Sequence, residues 1–286
     1  MLQSIELQYP MQTRGKHLEG SDSTTMLDPD APCVEECAFF VDAEGALLEH
    51  LSPQRLCRVD QGVRDVLRAL ALRTGGATAL VSGRSIATLD AHFAPLYLPT
   101  AGLHGFERRT AGCRYARRAL PSGLALGRAR RWLAQIAHGD SRLELEDRRF
   151  ALALHYRLAP DLEELIVRMV QAIADAMGGG FEVQRGQFVV EIHPGRVSKA
   201  HAVSEFMREL PFIGKRPIFV GHDLSNESAF KWVNEAGGLS VGVNVSPSSS
   251  ARMRLSSIDE ARSWLGKVMA RENAPREDAR GLNVAI

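Results

Sequence analysis

The sequence predicts an α/β fold in which a doubly wound, Rossmann-like parallel sheet carries an inserted α+β unit. Two observations predict the sheet. Short apolar segments alternate with amphipathic helical segments, a rhythm typical of parallel sheets, and the apolar segments end in polar residues, as buried strands do where they reach a loop. A third observation predicts the insertion, because the rhythm stops after about residue 112 and resumes at about residue 195.

Residues 37–112 are predicted to form the first part of the sheet. The apolar run CAFFV at 37–41 indicates a buried strand that stops at Asp42 and a glycine turn. A helix follows whose apolar residues recur on one face and which two glycines terminate. The predicted helix, strand, helix and further apolar segment lie at 60–73, 77–85, 85–93 and 96–105.

Residues 113–194 are predicted to form the inserted α+β unit, which consists of a helix and a hairpin, twice over. Alternating apolar residues on either side of Asp147–Arg149 predict the first hairpin, and Arg185-Gly186 is the predicted turn of the second. The four elements are expected at 123–137, 143–157, 161–177 and 181–194.

Residues 195–270 are predicted to complete the parallel sheet. The termini differ from this pattern: residues 1–36 show no sustained period and are expected to form a mobile extension, and residues 271–286 are expected to form a polar tail. The predicted helices and strands of this part lie at 198–210, 217–221, 226–236, 239–244 and 257–270.

Composition and charge exclude several classes of protein. Lys and Arg number 35 against 34 Asp and Glu, so a dedicated nucleic-acid binder is not expected. No stretch approaches the roughly 18–20 consecutive apolar residues of a membrane span, and the first residues lack the apolar region of a secretory signal. Four cysteines are too few for a disulfide framework. The sequence therefore predicts a cytoplasmic enzyme without a membrane or nucleic-acid partner.

Polar side chains follow the predicted strands at the sheet edge where α/β proteins bind ligands. In chain order they are Asp42, Glu44, Ser82, Arg84, Lys199, His222 and Asp223. This combination suits phosphoryl transfer through an aspartyl intermediate. One carboxylate attacks phosphorus and a second acid protonates the leaving oxygen, while a hydroxyl, an ammonium and a metal ion stabilise the equatorial oxygens.

Seven segments carry a resemblance to a known family. They are FFVDAEGALLEHLSP, ALVSGRSIATLD, AGLHGFERR, LEDRRFALALHYRLAP, VVEIHPGRVSKAHAV, FIGKRPIFVGHDLSNESAFKWVN and GGLSVGVN. In this order they resemble the haloacid-dehalogenase-type phosphatases and, within them, the trehalose-phosphate phosphatases. The resemblance implies a core of that type with a cap domain, and hydrolysis of trehalose 6-phosphate, a small sugar phosphate, in trehalose biosynthesis.

The resemblance also implies roles for individual residues. Asp42 matches the nucleophile, and Glu44 occupies the position of the general acid/base. Ser82, Gly83 and Lys199 match the phosphate-binding positions. The cap residues that would grip the sugar hydroxyls are Glu146, Arg148 and Glu191, and the Mg²⁺ ligands would be Asp42, the backbone carbonyl of Glu44, His222 and Asp223.

The chain departs from the family pattern at several of these positions. The pattern has Asp, Thr and Asp where this chain has Glu44, Ala46 and His222, and Arg148 replaces a lysine. Imidazole suits Mn²⁺ or Co²⁺ better than Mg²⁺, so these ions are alternatives. A catalytically degenerate relative that binds a sugar phosphate or a partner without efficient turnover is therefore the second hypothesis.

Two further alternatives concern specificity and histidines. A phosphatase for another sugar phosphate is a third hypothesis, because specificity lies in the cap. His104 and His155 lie in apolar segments and are expected to be packed, hydrogen-bonded histidines rather than ligands. The sequence makes no prediction of an oligomeric state.

Overall fold

The computed structural model describes residues 33–42, 44–48 and 59–270. Within these ranges the chain forms an eight-stranded sheet flanked by helices and a separate four-stranded sheet, which confirms the predicted fold class. The predicted tail at 271–286 and most of the predicted extension at 1–36 lie outside the described residues. None of the helices in the described part of the chain is both long enough and apolar enough to cross a membrane.

The first part of the large sheet contains five strands and two helices. These elements are β1 (Cys37–Val41), α1 (Gln61–Arg73), β2 (Thr78–Val81), α2 (Ile86–Phe93), β3 (Thr100–Gly102), β4 (Glu107–Arg109) and β5 (Tyr115–Arg117). The predicted strand at 37–41 and the predicted helices at 60–73 and 85–93 are thereby confirmed.

The inserted unit comprises two helices and two hairpins, as predicted. Its elements are α3 (Gly123–Gly139), β6 (Glu144–Asp147), β7 (Leu152–His155), α4 (Glu163–Ala176), β8 (Phe181–Gly186) and β9 (Val189–Pro194). The four strands form an antiparallel sheet in the order β6-β7-β9-β8. Apolar residues of both helices pack on it and form a separate core.

The last part returns to the large sheet. Its elements are α5 (Lys199–Phe206), β10 (Arg216–Gly221), α6 (Glu227–Glu235), β11 (Leu239–Val243), β12 (Met253–Leu255) and α7 (Ile258–Ala270). The strand order is β12-β11-β10-β1-β2-β3-β4-β5. All pairs from β12 to β3 are parallel, and β4 and β5 are antiparallel.

Strand β1 explains why the sheet is covered on both faces. All five of its residues are buried, as expected for a strand between two layers of helices. Phe39 and Val41 face the core that includes residues of α1 and α7, whereas Ala38 and Phe40 face the core that includes residues of α5 and α6. Alternate residues of one short strand therefore join the two helical layers.

The structure differs from the sequence prediction at the edges of this sheet. Strands β4, β5 and β12 have three residues each, too few to show a period, and they were not predicted. Tyr115–Arg117 pairs with β4 in the large sheet, although the insertion was expected to begin at residue 113. At the other end of the sequence, Val34–Glu36 forms a 3₁₀ helix with Val34 buried, so the last residues of the expected extension belong to the core.

The predicted turn of the second hairpin is wrong. Arg185 and Gly186 lie in β8, and the two-residue loop is Gln187-Phe188, because Gly186 pairs with Val189. Phe188 has a left-handed backbone (φ 58°). Its carbonyl accepts a hydrogen bond from the Tyr156 backbone N–H, and the two aromatic rings pack edge to face. This tertiary contact outweighs the local turn preference of an Arg-Gly pair.

Helix α1 offers a test of the core that supports the sheet. Leu67 is 0% exposed and Leu72, on the same helix, is 75% exposed. We expect Leu67→Ala to lower the free energy of unfolding by about 2–5 kcal/mol, because it opens a cavity in a close-packed core. Leu72→Ala is the matched control and should change it by less than about 0.5 kcal/mol. Urea denaturation measures both, and equal effects would contradict the assigned packing of α1.

Candidate active site

The carboxyl ends of the central parallel strands meet at a cavity of about 60 Å³. Asp42 follows β1, Ser82 follows β2 and His222 follows β10. Nine of the ten residues to which the resemblance assigns a role line this cavity: Asp42, Glu44, Ser82, Gly83, Arg148, Glu191, Lys199, His222 and Asp223. Glu146, the tenth, lies behind them and contacts Arg84 and Arg148.

A buried ion pair lies at the bottom of the cavity. Lys199 Nζ donates to Asp42 Oδ2 at 2.5 Å and to Asn226 Oδ1 at 3.1 Å, and Lys199 is only 2% exposed. Burial opposes the charge of this lysine, but the adjacent Asp42 carboxylate raises its pKa above the usual value. Lys199 is therefore a charged ammonium held against the carboxylate.

Asp223 is fixed by the loop that follows β10. Its Oδ1 accepts hydrogen bonds from the Ser225 backbone N–H (3.0 Å), the Ser225 hydroxyl (2.6 Å) and Asn226 Nδ2 (2.5 Å). Burial alone would raise the pKa of Asp223, but the charge of Lys199 and the Ser225 hydrogen bond lower it. Asp223 is thus an ionised carboxylate with its second oxygen outside this set of hydrogen bonds.

His222 and Gly45 fit together closely. A Cβ atom at Gly45 would lie 2.0 Å from Cδ2 of the His222 ring, and the glycine has φ +69°. Both the left-handed backbone and the contact with the ring require glycine at this position. The turn after β1 therefore determines where the His222 side chain lies.

The donor set at this point fits a divalent cation. His222 Nδ1 lies 3.7 Å from Asp42 Oδ2, and it is buried with no hydrogen-bond partner among the described residues. Asp42, His222 and Asp223 each offer a ligand atom, and these atoms lie within 4.8 Å of one another. Two carboxylates suit Mg²⁺, whereas the imidazole nitrogen is a ligand that Mn²⁺ or Co²⁺ accepts more readily.

Arg84 links Glu44 to the inserted unit. Its Nη2 donates to Glu44 Oε1 at 2.7 Å, and its Nη1 donates to Glu146 Oε1 at 3.1 Å. The side chain is 2% exposed, so both contacts are shielded from water. One guanidinium therefore joins a carboxylate in the turn after β1 to a carboxylate of the small sheet.

Arg148, a residue of the inserted unit, also links that unit to the large-sheet part of the chain. Its Nη1 donates to Glu191 Oε2 at 2.6 Å and to the Gly83 carbonyl at 2.9 Å, and its Nη2 donates to Glu146 Oε2 at 2.7 Å. Burial would raise the pKa of Glu191, but the charge of Arg148 lowers it to about 2. The same arginine, with His155, holds the pKa of Glu146 below its usual range against the effect of burial.

The two histidines of the apolar segments behave differently. His155 Nε2 lies 3.0 Å from Glu146 Oε2 in a hydrogen bond, which confirms that prediction. His104 is packed against the His193 ring, as predicted, but its Nε2 lies 3.4 Å from Glu191 Oε1 and has no hydrogen-bond partner among the described residues. His104 also has left-handed backbone angles (φ 57°, ψ 21°), a conformation that costs about 1–3 kcal/mol and clusters at functional sites.

Sequence reasoning missed the connecting residues of the site. Arg84 was noted after its strand but received no role, and Asn226, which bridges Lys199 and Asp223, was not singled out. The signal for Arg84 was its place directly after Ser82-Gly83 at a strand end. Asn226 had none beyond its nearness to Asp223, since its partner Lys199 lies 27 positions away.

The inserted unit lies closed over the cavity. A Cβ atom at Gly186, at the end of β8, would lie 3.7 Å from Asp223 Oδ2. Sites for small organic ligands commonly enclose about 300–1,000 Å³, so the cavity of about 60 Å³ is too small for such a ligand. A larger groove of about 1070 Å³ borders the same residues Gly186, His222 and Asp223.

Comparison with known proteins places the chain in a family. The family model for trehalose-phosphatase matches residues 40–260. The chain is 37% identical over 243 residues to the trehalose-6-phosphate phosphatase of Escherichia coli (strain K12), covering 85% of this chain and 90% of that protein. It is 34% identical over 251 residues to a probable trehalose-phosphate phosphatase of Sinorhizobium fredii (strain NBRC 101917 / NGR234), covering 88% and 92%.

Solved structures agree on the fold. The C-terminal domain of a C. albicans trehalose-6-phosphate phosphatase superposes with a TM-score of 0.71 at 18% identity, covering 82% of this chain and 92% of that one. A trehalose-6-phosphate phosphatase related protein superposes with a TM-score of 0.65 at 22% identity, covering 81% and 96%. With the match of the family model over most of the described residues, these findings show that the chain belongs to the trehalose-phosphatase family.

Proposed function

We propose that the protein hydrolyses trehalose 6-phosphate to trehalose and phosphate. The observation that carries the proposal is the buried pair of Asp42 and Lys199, 2.5 Å apart, beside a cluster of cation ligands and beneath a unit that closes over it. A nucleophile, a fixed positive charge and a metal-binding set are the parts that phosphomonoester hydrolysis through an aspartyl intermediate requires.

In the proposed first step, a carboxylate oxygen of Asp42 attacks phosphorus. Lys199 Nζ and His222 Nδ1 both face Oδ2, so Oδ1 is the oxygen that we expect to form the new bond. The bond between phosphorus and the sugar oxygen breaks, and its electron pair remains on the sugar oxygen. Lys199, with Ser82 and the backbone of Gly83, is proposed to bind the phosphoryl oxygens.

Glu44 is the proposed acid and base of the two steps. It donates a proton to the departing sugar oxygen, then accepts one from the water that attacks phosphorus and breaks the bond to Asp42. Glutamate is longer by one methylene than the aspartate of the family pattern, and its carboxylate reaches Arg84. Arg84 therefore determines where the longer side chain can place its proton.

A divalent cation is part of the proposal. Asp42, His222, Asp223 and the backbone carbonyl of Glu44 would hold it, and Mg²⁺ is the ion that the family relationship suggests. When bound, the cation supplies positive charge that offsets the charge of the phosphoryl oxygens. His222 favours Mn²⁺ or Co²⁺ in the same place.

The inserted unit is proposed to act as a cap, with Glu146, Arg148 and Glu191 binding sugar hydroxyls. We place it at about residues 118–194, because Tyr115–Arg117 belongs to the large sheet. Opening would widen the cavity to admit the substrate, and closure around the bound sugar would exclude water from the reacting groups. The ion pairs of Arg84 and Arg148 support a closed form that assembles without substrate.

The second candidate is a family member that binds a sugar phosphate without efficient turnover. Two observations favour it: Glu44 forms an ion pair with Arg84, and His222 occupies a position where the family pattern has a carboxylate. Calorimetry that shows tight binding of trehalose 6-phosphate, with no phosphate release in Mg²⁺, Mn²⁺ or Co²⁺, would establish this candidate over the first.

Replacement of the nucleophile tests the mechanism. We expect Asp42→Asn to lower phosphate release from trehalose 6-phosphate by about 10³-fold or more, because the amide cannot form the aspartyl intermediate. Asp65→Asn is the matched control, since Asp65 lies exposed on α1 and the change should leave turnover unaltered. Undiminished activity of the Asp42→Asn variant would contradict the proposed mechanism.

The metal preference tests the role of His222. After removal of metal with EDTA, we expect Mn²⁺ or Co²⁺ to restore more activity than Mg²⁺, because one proposed ligand is an imidazole nitrogen. His222→Asp should shift the ratio of Mg²⁺-dependent to Mn²⁺-dependent turnover toward Mg²⁺ by about tenfold. The exposed His138→Asp is the control. An unchanged ratio in His222→Asp would show that the side chain does not address the metal.

Substrate comparison tests the cap. We expect Glu191→Gln to lower kcat/KM for trehalose 6-phosphate by about 10²-fold and that for p-nitrophenyl phosphate by much less, because only the sugar needs the cap carboxylate. Glu182→Gln, on the neighbouring strand β8 and exposed, is the control. Parallel losses on both substrates would assign Glu191 a structural role in holding Arg148.

A further inference from the structure

Two buried polar atoms face each other across the cap–core boundary without forming a hydrogen bond. His104 Nε2, from the core, lies 3.4 Å from Glu191 Oε1, from the cap. Neither atom has a hydrogen-bond partner among the described residues, and both side chains are more than nine-tenths buried. The two atoms are close enough to form an ion pair when the imidazole is protonated. Native proteins rarely leave buried polar atoms without a hydrogen bond, and each of these two atoms has capacity for one more partner.

The position of the pair indicates which partner. Both residues line the same cavity as Asp42 and Lys199. A group bound there would therefore belong to the molecule whose phosphate lies over the nucleophile. The other oxygen of Glu191 is already held by Arg148 at 2.6 Å, whereas Oε1 has no hydrogen-bond partner among the described residues.

The imidazole is fixed relative to the phosphate site. The His104 backbone N–H donates to the Ser82 carbonyl at 3.0 Å, and the Leu103 N–H donates to the Arg84 carbonyl at 2.9 Å. A Cβ atom at Gly83 would lie 3.0 Å from the His104 ring, so the ring packs directly on the loop that carries Ser82. Its left-handed backbone is maintained by these contacts.

The chemistry of the two atoms restricts the ligand group. In the tautomer with a proton on Nε2, His104 donates, and the Glu191 carboxylate only accepts. A hydroxyl satisfies both, because it can accept from Nε2 and donate to Oε1. A phosphoryl oxygen would be repelled by the carboxylate, and an ammonium could not accept from the imidazole. A hydroxyl oxygen in the cavity can lie about 2.8 Å from both atoms, given their separation of 3.4 Å.

We propose that His104 is a substrate-binding residue which, together with Glu191, holds one hydroxyl of the sugar whose phosphate is cleaved. This inference rests on the proposed function and extends it to the core side of the sugar site. Because His104 belongs to the core and Glu191 to the cap, the two contacts to this hydroxyl form together only when the cap is closed. Binding of this hydroxyl by both residues therefore requires closure of the cap.

The test compares trehalose 6-phosphate with analogues that lack single hydroxyls on the phosphorylated ring. For the wild type, we expect the kcat/KM of one analogue to be about 10²-fold or more below that of trehalose 6-phosphate, because the missing hydroxyl leaves His104 Nε2 and Glu191 Oε1 unpaired. His104→Asn suits the left-handed backbone but is too short to place a donor at the Nε2 position. In this variant the penalty for the same analogue should shrink by about tenfold or more.

Two further variants make the test specific. His104→Gln places an amide donor near the Nε2 position. It should recover part of the discrimination between trehalose 6-phosphate and the analogue that lacks the bound hydroxyl. The exposed His138→Asn should discriminate as the wild type does. A penalty of the same size in the wild type and in His104→Asn for every analogue would overturn the proposal. Equal losses on trehalose 6-phosphate and p-nitrophenyl phosphate in His104→Asn would also overturn it, since they would show a structural role.

The proposed function can fail separately. If the wild type releases no phosphate from trehalose 6-phosphate, that substrate is wrong, and the analogue series is repeated on the sugar phosphate that a substrate panel identifies. Loss of discrimination by His104→Asn in that series would still support the hydroxyl contact. If every analogue shows the same penalty in the variant as in the wild type, the contact is rejected.

Discussion

The buried ion pair of Lys199 and Asp42 is the interaction on which the rest of the structure depends. Each charge is removed from water, which would be very costly for either group alone, and loss of one partner from such a pair typically costs about 3–5 kcal/mol. The pair joins the end of β1 to the start of α5, and Asn226 extends it to the loop after β10. The packing that places these three elements side by side therefore also places Asp42, the proposed nucleophile.

A second set of charges joins the cap to the core, and it consists of arginines of one part bound to groups of the other. Arg84 reaches Glu146 in the cap, and Arg148 reaches the Gly83 carbonyl in the core. Both carboxylate oxygens of Glu146 and one oxygen of Glu191 are thus bound by arginines when the site is closed. At these oxygens a sugar hydroxyl would compete with the arginines, so it would add affinity there only where it replaces an existing bond well.

The sequence predicted the layers of the fold because the central strands and helices have clear apolar patterns. It could not predict three-residue edge strands, which have no period, or the turn at Gln187-Phe188, which a contact with Tyr156 decides. At the site, residues next to strand ends could be identified from position alone. The roles of Arg84 and Asn226 could not, because each depends on partners far away along the chain. The unpaired state of His104 is likewise a property of the folded molecule.

The contact between Gly45 and the His222 ring has a consequence for how this chain can change by mutation. Asparagine tolerates a left-handed backbone better than most residues, yet its Cβ would still meet the ring, which lies 2.0 Å from the Cβ position. Position 45 is therefore closed to substitution while position 222 holds histidine. A smaller side chain at position 222 would remove the steric obstacle but not the left-handed backbone (φ +69°). Asparagine is therefore the substitution at position 45 that such an exchange would make tolerable.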